Sequence, residues 1–456
     1  MTRVPAGFTG LLLTPDDEGY HEARRVWNGM HDRRPALIAR CRTAEDVSVM
    51  VRHAADLGLG ATVRGGGHNV AGAAVADGTL MIDLSPMRRV TVDAEAGTAE
   101  ADGGCLLRDV DLATAPYGLA CPAGVVSHTG LGGLALGGGY GWLARKWGPT
   151  CDHILALQVV LADGEIVECS PEQHPELFWA LRGGGGGFGV VTRFTLRLRP
   201  VAPMFYRSAL CGLDRAEAAL RAYREFAPGQ PDDLHVVGSL KIAGRAETVP
   251  AALRGEPVLA LNALFTGAPE DGPAAVAGLF DRVPAALSTD RLIGFAELQA
   301  LADTSEPHGH RYYTKSAYLT DLSPDTVPGL LASAADQPSP LGSIDFEYLR
   351  GAISRGPADS AFPGRDAPYI CTFSAHWTDR AHDEPNIAWA RASLARTAGD
   401  RFGGAYSNYL QDEPGDALRA TYGEERYRRL AVVRSTYDPK GLFRGGANTA
   451  APGSRA

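Results

Sequence analysis

Apolar residues fall into short runs along the first two hundred positions, and the runs alternate between two periods. Ala36-Leu37-Ile38-Ala39-Arg40-Cys41 reads as a strand. Thr43-Ala44-Glu45-Asp46 then opens a helix through Ala54-Ala55, with Thr43 as N-cap and Asp46 in the place usually held by Glu. Gly60-Ala61-Thr62-Val63 gives a second strand, so the chain begins as an α/β unit, and a helical pattern over Glu18–Trp27 lies upstream. Short strands follow at Leu80–Leu84, Val90–Val92 and Thr98–Ala101, then a helix at Leu106–Ala115. Strands Ile154–Leu161 and Ile166–Cys169 flank Asp163-Gly164, a dipeptide that suits a tight primed hairpin turn. A helix around Glu176–Ala180 and an alternating strand over Gly189–Leu198 close this part.

Pro200-Val201-Ala202-Pro203 interrupts the pattern, since two prolines in four residues suit neither a helix nor a ladder. Beyond it, strand runs such as Leu234–Leu240 and Val258–Phe265 alternate with Ala-rich helices such as Ala274–Leu287, an α+β pattern. There is no internal repeat.

Composition changes this picture little. A chain of 456 residues, 45% hydrophobic and 21% charged, can bury two cores. A net charge of −9 without basic runs argues against nucleic acid as a partner. No stretch approaches the ~20 apolar residues of a bilayer span, and the N-terminus lacks a secretory pattern. Seven dispersed cysteines without a CxxC pair point to neither a disulfide framework nor a zinc site, so no metal is expected, and a cytoplasmic location is.

The candidate chemistry lies in two glycine clusters. In Arg64-Gly65-Gly66-Gly67-His68-Asn69, which follows a strand, bare backbone can approach a bulky anion and aim N–H groups at it, as a diphosphate requires. The second cluster is Pro122-Ala123-Gly124-Val125-Val126-Ser127-His128-Thr129-Gly130-Leu131-Gly132-Gly133-Leu134-Ala135-Leu136-Gly137-Gly138-Gly139-Tyr140-Gly141-Trp142. Neither is a G-x-G-x-x-G opening a helix, which disfavours an NAD domain. In Ser343-Ile344-Asp345-Phe346-Glu347-Tyr348, period two puts Asp345 and Glu347 on one face, where partial burial would raise at least one pKa toward that of a general base. Tyr140, Tyr312, Tyr313, Tyr348 and Tyr406 are candidates for lining a cavity that holds a flat substrate.

These clusters resemble the flavin-linked oxidases of the vanillyl-alcohol oxidase superfamily, in its berberine bridge enzyme-like branch. So do Arg33–Cys41, Glu176–Thr192 and the segment Tyr437–Arg444. The resemblance implies a two-domain α+β fold: a PCMH-type FAD-binding domain over 1–203, a substrate domain over 204–400, and a segment over 401–456 that returns to the first domain. It implies FAD bonded covalently through His68 only, because Val126 stands where a cysteine often makes a second bond. The implied cofactor contacts are Arg64, Gly65, Gly66, Gly67, His68, Asn69, Gly72, Ser127, Thr129, Gly130, Gly132, Gly133, Gly138, Gly141, Gly189, Val191, Tyr406, Asn408 and Asn448.

Thr129 corresponds to the position where oxygen approaches the flavin, and Asp345 to the acidic residue of the substrate strand. Catalysis is therefore assigned to Asp345, Glu347, Tyr140 and Thr129, and substrate contact to Tyr312, Tyr313, Lys315 and Tyr348, with Lys315 either a structural charge or an oxyanion partner. The expected function is an oxidase passing a hydride from an aromatic polyketide or alkaloid to flavin N5, with reoxidation by molecular oxygen. A carbohydrate oxidase, an oxygen-excluding dehydrogenase and a non-catalytic flavin-binding protein are the alternatives. The expected partners are a small-molecule substrate and oxygen, with no nucleic acid or membrane, and a homodimer stays open.

Overall fold

The computed structural model describes residues 4–357, 359–413 and 416–444. Two small sheets are built from the first two hundred residues. Leu37–Arg40, Leu80–Asp83 and Ala61–Arg64 pair in parallel, with Leu11–Leu13 added antiparallel at one edge. Val90–Asp93, Thr98–Asp102, Val190–Arg197, Ile154–Val160 and Ile166–Cys169 form an antiparallel sheet in that spatial order. Between the strands at 37–40 and 61–64 runs the helix Ala44–Asp56, whose Asp46 N–H donates to Thr43 Oγ1 at 3.2 Å. The Asp46 carboxylate in turn accepts from Arg42 N–H at 2.9 Å and Thr9 N–H at 2.7 Å, so it ties in a neighbouring loop rather than closing a reciprocal box on Thr43.

A seven-stranded antiparallel sheet follows, in the order 287–293, 204–212, 257–265, 234–242, 343–348, 369–377, 311–319. One face packs on the helices Leu213–Phe226, Gly272–Phe280, Thr326–Ala335 and Asp383–Ala395, around Leu220, Val276, Leu330, Trp389, Ile344, Phe346 and Phe373. The other face is mostly polar and turns toward the glycine loops. The helix Ala417–Tyr437, kinked at Gly423, shares a core with the helix Pro175–Leu181 through Leu177, Phe178, Leu418, Tyr422 and Leu430. Beyond it, Ala61 N–H donates to Leu442 O at 2.8 Å and Arg444 N–H to Ala61 O at 2.7 Å, which lays the end of the described chain beside the strand that leads into the first glycine turn.

Three local expectations are corrected. The helix near the N-terminus is only Tyr20–Ala23, because Trp27 N–H is taken by Gly67 O at 3.0 Å and the chain leaves the helical path. The 274–287 helix stops at Phe280, with Pro284 just beyond, and Leu287 already begins a strand. The 161–165 hairpin is not primed: Gly164 has φ 85° but Asp163 does not have positive φ, so a type I turn ends in a left-handed glycine, with Leu161 N–H donating to Glu165 O at 2.8 Å.

Candidate active site

The two glycine loops meet back to back. A Cβ on Gly66 would lie 2.4 Å from Gly130 N, and one on Gly130 would lie 2.3 Å from Gly66 N. No side chain fits at either position, so two stretches of bare backbone sit edge to edge. Gly67 has φ 68°, which turns the chain out of the strand and delivers His68. Gly133 has open space above it, with nothing within 4 Å of its Cβ position. The half-buried Arg64 side chain donates from Nη1 to Ala23 O at 2.5 Å, while its buried Nε has no partner among the described residues. Bare N–H groups, a spare guanidinium donor and open space beside Gly133 fit the diphosphate and flat ring of FAD.

His68 is held on both flanks. Its imidazole stacks on Trp27 with centroids 4.3 Å apart and planes at 16°, and Trp27 stacks on Tyr312 at 3.7 Å. His68 Nε2 lies 3.1 Å from His128 Nδ1, with the His308 ring 6.0 Å from His68 and 5.0 Å from His128. Burial first, then the neighbouring His128 and His308, push the His68 pKa down to about 3. The ring is neutral throughout the working range, as a nucleophilic nitrogen must be.

Ser127 anchors the second loop, donating from N–H and Oγ to the Asp303 carboxylate at 2.8 and 2.6 Å. Thr129 turns the same loop, its carbonyl accepting from Leu107 N–H at 2.9 Å. Asn69 Oδ1 accepts from Ala71 N–H at 3.1 Å and Gly72 packs on the His31 ring, so both shape the exit from the first turn. Gly65 and Gly132 lie against the Gly103 carbonyl, Gly138 against Phe362, Gly141 against the Ala123 carbonyl and Gly189 against Val159, while Val191 is buried with its carbonyl over Gly103.

Tyr406 OH accepts from Gly139 N–H at 2.8 Å and from Asn408 Nδ2 at 2.9 Å, so these two residues lock the second loop from behind. Asn448 lies outside the described residues.

On the polar sheet face, cross-strand register sets Asp345 opposite Ser239 and Thr372, and Glu347 opposite Val237 and Ile370. Ser343 Oγ donates to Asp345 Oδ2 at 2.5 Å, and Glu347 pairs with His235 Nε2 at 2.9 Å. Burial raises the Asp345 pKa, against the hydrogen bonds from Ser239 and Ser343 and the charge of Lys241. A raised pKa makes this carboxylate a better proton acceptor than a free aspartate.

Several expected residues sit elsewhere. Along 311–319, Tyr312 faces the His68 stack, but Tyr313 and Lys315 point to the helix-covered face. There Lys315 Nζ donates to Asp412 at 2.8 Å, Glu413 at 2.5 Å and Gln411 O at 2.6 Å, and Tyr313 OH donates to Asp412 at 2.8 Å. Tyr348, one residue out of phase with Glu347, packs on Tyr369 at 5.0 Å under the Arg145 guanidinium. These three are therefore structural rather than substrate-facing, and Lys315 is a structural charge. Tyr140 is buried between Tyr318, 3.3 Å from OH to OH, and the Tyr406 ring, and burial drives its pKa well up, so it is no ready proton acceptor.

Sequence reasoning missed Glu306, Tyr409, His128 and His308. The Glu306 carbonyl accepts from Trp27 Nε1 at 2.9 Å, and its carboxyl, pushed up to about 8 by burial and then by Asp345, makes no hydrogen bond among the described residues. The ring of Tyr409 lies 4.9 Å from Tyr406, and its hydroxyl feels the charges of Glu347, Asp345 and Glu306. The His68 stack, the second glycine loop and the acidic sheet face thus converge on one space.

Comparison with known proteins places the chain among flavin-linked enzymes. A family described as "FAD binding domain" matches residues 35–170, and one described as "Berberine and berberine like" matches 405–448. The chain is 31% identical to (R)-6-hydroxynicotine oxidase of Paenarthrobacter nicotinovorans over 99% of both sequences. The crystal structure of 6-hydroxy-D-nicotine oxidase from Arthrobacter nicotinovorans superposes with a TM-score of 0.85 at 27% identity, covering 98% of this chain and 99% of that one. Glucooligosaccharide oxidase from Acremonium strictum, with a 6-S-cysteinyl, 8α-N1-histidyl FAD, shares the fold at a TM-score of 0.81 and 23% identity over 95% of each chain.

The fold is that of an FAD-dependent oxidoreductase with a PCMH-type FAD-binding domain. The chain belongs to the berberine bridge enzyme-like family of FAD-linked oxidases.

Proposed function

We propose that this oxidase removes a hydride and a proton from a flat secondary metabolite, an alkaloid or an aromatic polyketide, and that it holds FAD through a single covalent bond to His68. The Gly65–Gly67 and Gly130–Gly133 backbone would hold the diphosphate, and Tyr406 and Asn408 would keep the second loop closed over the cofactor. FAD bound there supplies a two-electron acceptor that molecular oxygen restores. Asp345 accepts the substrate proton at its carboxylate, kept ionisable by Ser239 and Ser343. Glu347, paired with His235, stays beside it as a second acidic group. Thr129 leaves a small pocket on the loop for oxygen.

One observation carries this reading: Asp345 and Glu347 lie on the same sheet face as Tyr312, whose ring stacks on Trp27 and through it on His68. An acidic floor suits a basic amine, which favours the alkaloid. A carbohydrate is the second reading, favoured by the hydroxyl and amide groups of Ser208 and Asn262 on the same face, joined at 2.8 Å. The test is oxygen consumption by the purified chain against alkaloids, aromatic polyketides and oligosaccharides, repeated with Asp345→Asn. On the substrate that turns over, the variant should lose about 100-fold or more in kcat with its flavin spectrum intact. An unchanged kcat would remove Asp345 from the proton transfer.

A further inference from the structure

We infer that Arg145 is a positioning residue for the acidic sheet face: from the segment that follows the second glycine loop, its guanidinium sets the spacing of the two strands that bring His235 to Glu347. The inference rests on the reading above that this face handles the substrate.

The two strands part where the pair sits. Between 234–242 and 343–348 the main-chain ladder runs from Lys241 opposite Ser343 to Val237 opposite Glu347 and ends there. His235 lies beyond the last rung, two residues from Val237 and on the same face, with Nε2 2.9 Å from Glu347 Oε2. No rung fixes that contact, so it depends on how far the strands splay. Two side chains close the open end. From the helix Leu213–Phe226, Tyr223 OH accepts from Tyr348 N–H at 2.9 Å and donates to Val236 O at 3.3 Å. From beyond the glycine loop, Arg145 Nε donates to Leu234 O at 2.8 Å, and its Nη1 is shared between Leu349 O at 3.4 Å and Tyr348 O at 3.5 Å. One planar fork thus reaches both strands, at the residues next to His235 and Glu347.

Arg145 is 1% exposed, and its nearest carboxylate, Asp232, is 3.9 Å away. An apolar side chain would fill this space without burying a charge, but only a guanidinium holds the ends of two diverging strands. Tying the two domains together does not need it, since Lys146 reaches Thr266 O and Asp233 at 2.8 Å each nearer the surface. The same segment touches the pair a second time: Trp142, three residues before Arg145, meets the His235 ring edge to face, with centroids 5.8 Å apart and planes at 80°. Ala144 N–H donates to Gly141 O at 3.0 Å, which joins this segment to the glycine loop. On the far side, Gly351 has φ 71° and a Cβ there would lie 2.5 Å from Arg145 O, so the chain leaving strand 343–348 wraps the same residue. The seat of the flavin and the place of the acidic pair are therefore set by one short stretch of chain.

The experiment follows the His235 ring by NMR in full-length holoenzyme carrying isotope-labelled histidine, its signals assigned by their loss in His235→Gln. Wild type is compared with Arg145→Lys, Arg145→Met, Glu347→Gln and each Arg145 variant combined with Glu347→Gln. Flavin absorbance measures the holoenzyme in every sample, so turnover is expressed per bound flavin, and Arg145→Lys, which keeps the charge, covers an Arg145→Met chain that does not fold. Glu347→Gln should shift the His235 signals. Both Arg145 variants should shift them in the same direction, because an ammonium cannot span both strands, and each combined variant should match Glu347→Gln alone. On the substrate found by oxygen consumption, the Arg145 variants should lose about tenfold or more in kcat per flavin, as a misplaced group does, and the combined variants no more than Glu347→Gln. Wild-type His235 signals in the Arg145 variants, or losses in turnover that multiply in the combined variants, would overturn the inference. Wild-type turnover in Glu347→Gln would instead defeat the reading on which it rests, and the ring signals alone would then decide whether Arg145 places the pair.

Discussion

Replacing Gly130 with alanine tests the back-to-back loops most sharply. Gly130 has φ −70° and ψ 128°, a conformation any residue adopts, so the whole effect is steric. The new methyl would lie 2.3 Å from Gly66 N and 2.7 Å from Gly66 Cα, where carbon contacts normally sit at about 3.5–4.0 Å, so the loops must part by about 1 Å. Neither side yields easily. Gly130 bridges to Leu106 and Leu131 N–H donates to Cys105 O at 2.9 Å, while Gly66 closely follows the strand Ala61–Arg64, which is paired along its length with Leu80–Asp83. The cost is about 3 kcal/mol, the upper range for overpacking. For a domain of this size that lowers Tm by about 6–12 °C.

Displaced N–H groups also grip the diphosphate less well, and losing one or two charge-assisted hydrogen bonds weakens FAD binding about 10–100-fold. Scanning calorimetry of the flavin-free chain and fluorescence titration with FAD measure both effects. Gly133→Ala, with nothing within 4 Å and a helical position, is the control and should leave the flavin-free Tm unchanged or slightly higher. Wild-type Tm and wild-type FAD affinity in Gly130→Ala would refute the loop-to-loop contact.

Two other perturbations have definite signs. The Glu306 carboxyl is pushed up to about 8, so the folded chain holds a proton that the unfolded chain loses near the ordinary carboxyl value of about 4.3. The stability this contributes is full below that ordinary value and falls as pH rises toward about 8. Glu306→Gln, which cannot ionise, should flatten urea-derived stability between pH 5 and 8 by about 2 kcal/mol relative to wild type, and parallel curves would contradict the assignment. Lys315→Met leaves Asp412 and Glu413 without their buried cation and should cost about 1–2 kcal/mol while KM stays unchanged. A rise in KM without loss of stability would return Lys315 to the substrate site.

How far the sequence could be read depended on local signals. Arg64-Gly65-Gly66-Gly67-His68 announces a backbone cradle wherever it folds, and Thr43 announces a helix start. In Ser343–Tyr348 the alternation of polar and apolar residues fixes the phase, so Asp345 and Glu347 were legible as one face, and the same period puts Tyr348 on the other. The Arg311–Leu319 strand offers no such phase. Tyr312 through Leu319 are buried on both faces, so a polar Lys315 could not be assigned a side until its neighbours were placed.

Glu306 and His308 lie in an aperiodic loop that reaches the cofactor loops only through long-range folding. The one local cue was density, a glutamate and two histidines within Glu306-Pro307-His308-Gly309-His310. His128 stood inside a motif already singled out, and only its distance to His68 gives it meaning.

The central claim is that the glycine loops seat FAD and that the neutral, stacked His68 carries it. Purified wild-type chain and His68→Ala should both be yellow when folded. After denaturation in acid, only wild type should keep the colour and show the mass of one added FAD. A wild-type chain that is colourless even when supplied with FAD, or a His68→Ala chain that still holds flavin after denaturation, would contradict it.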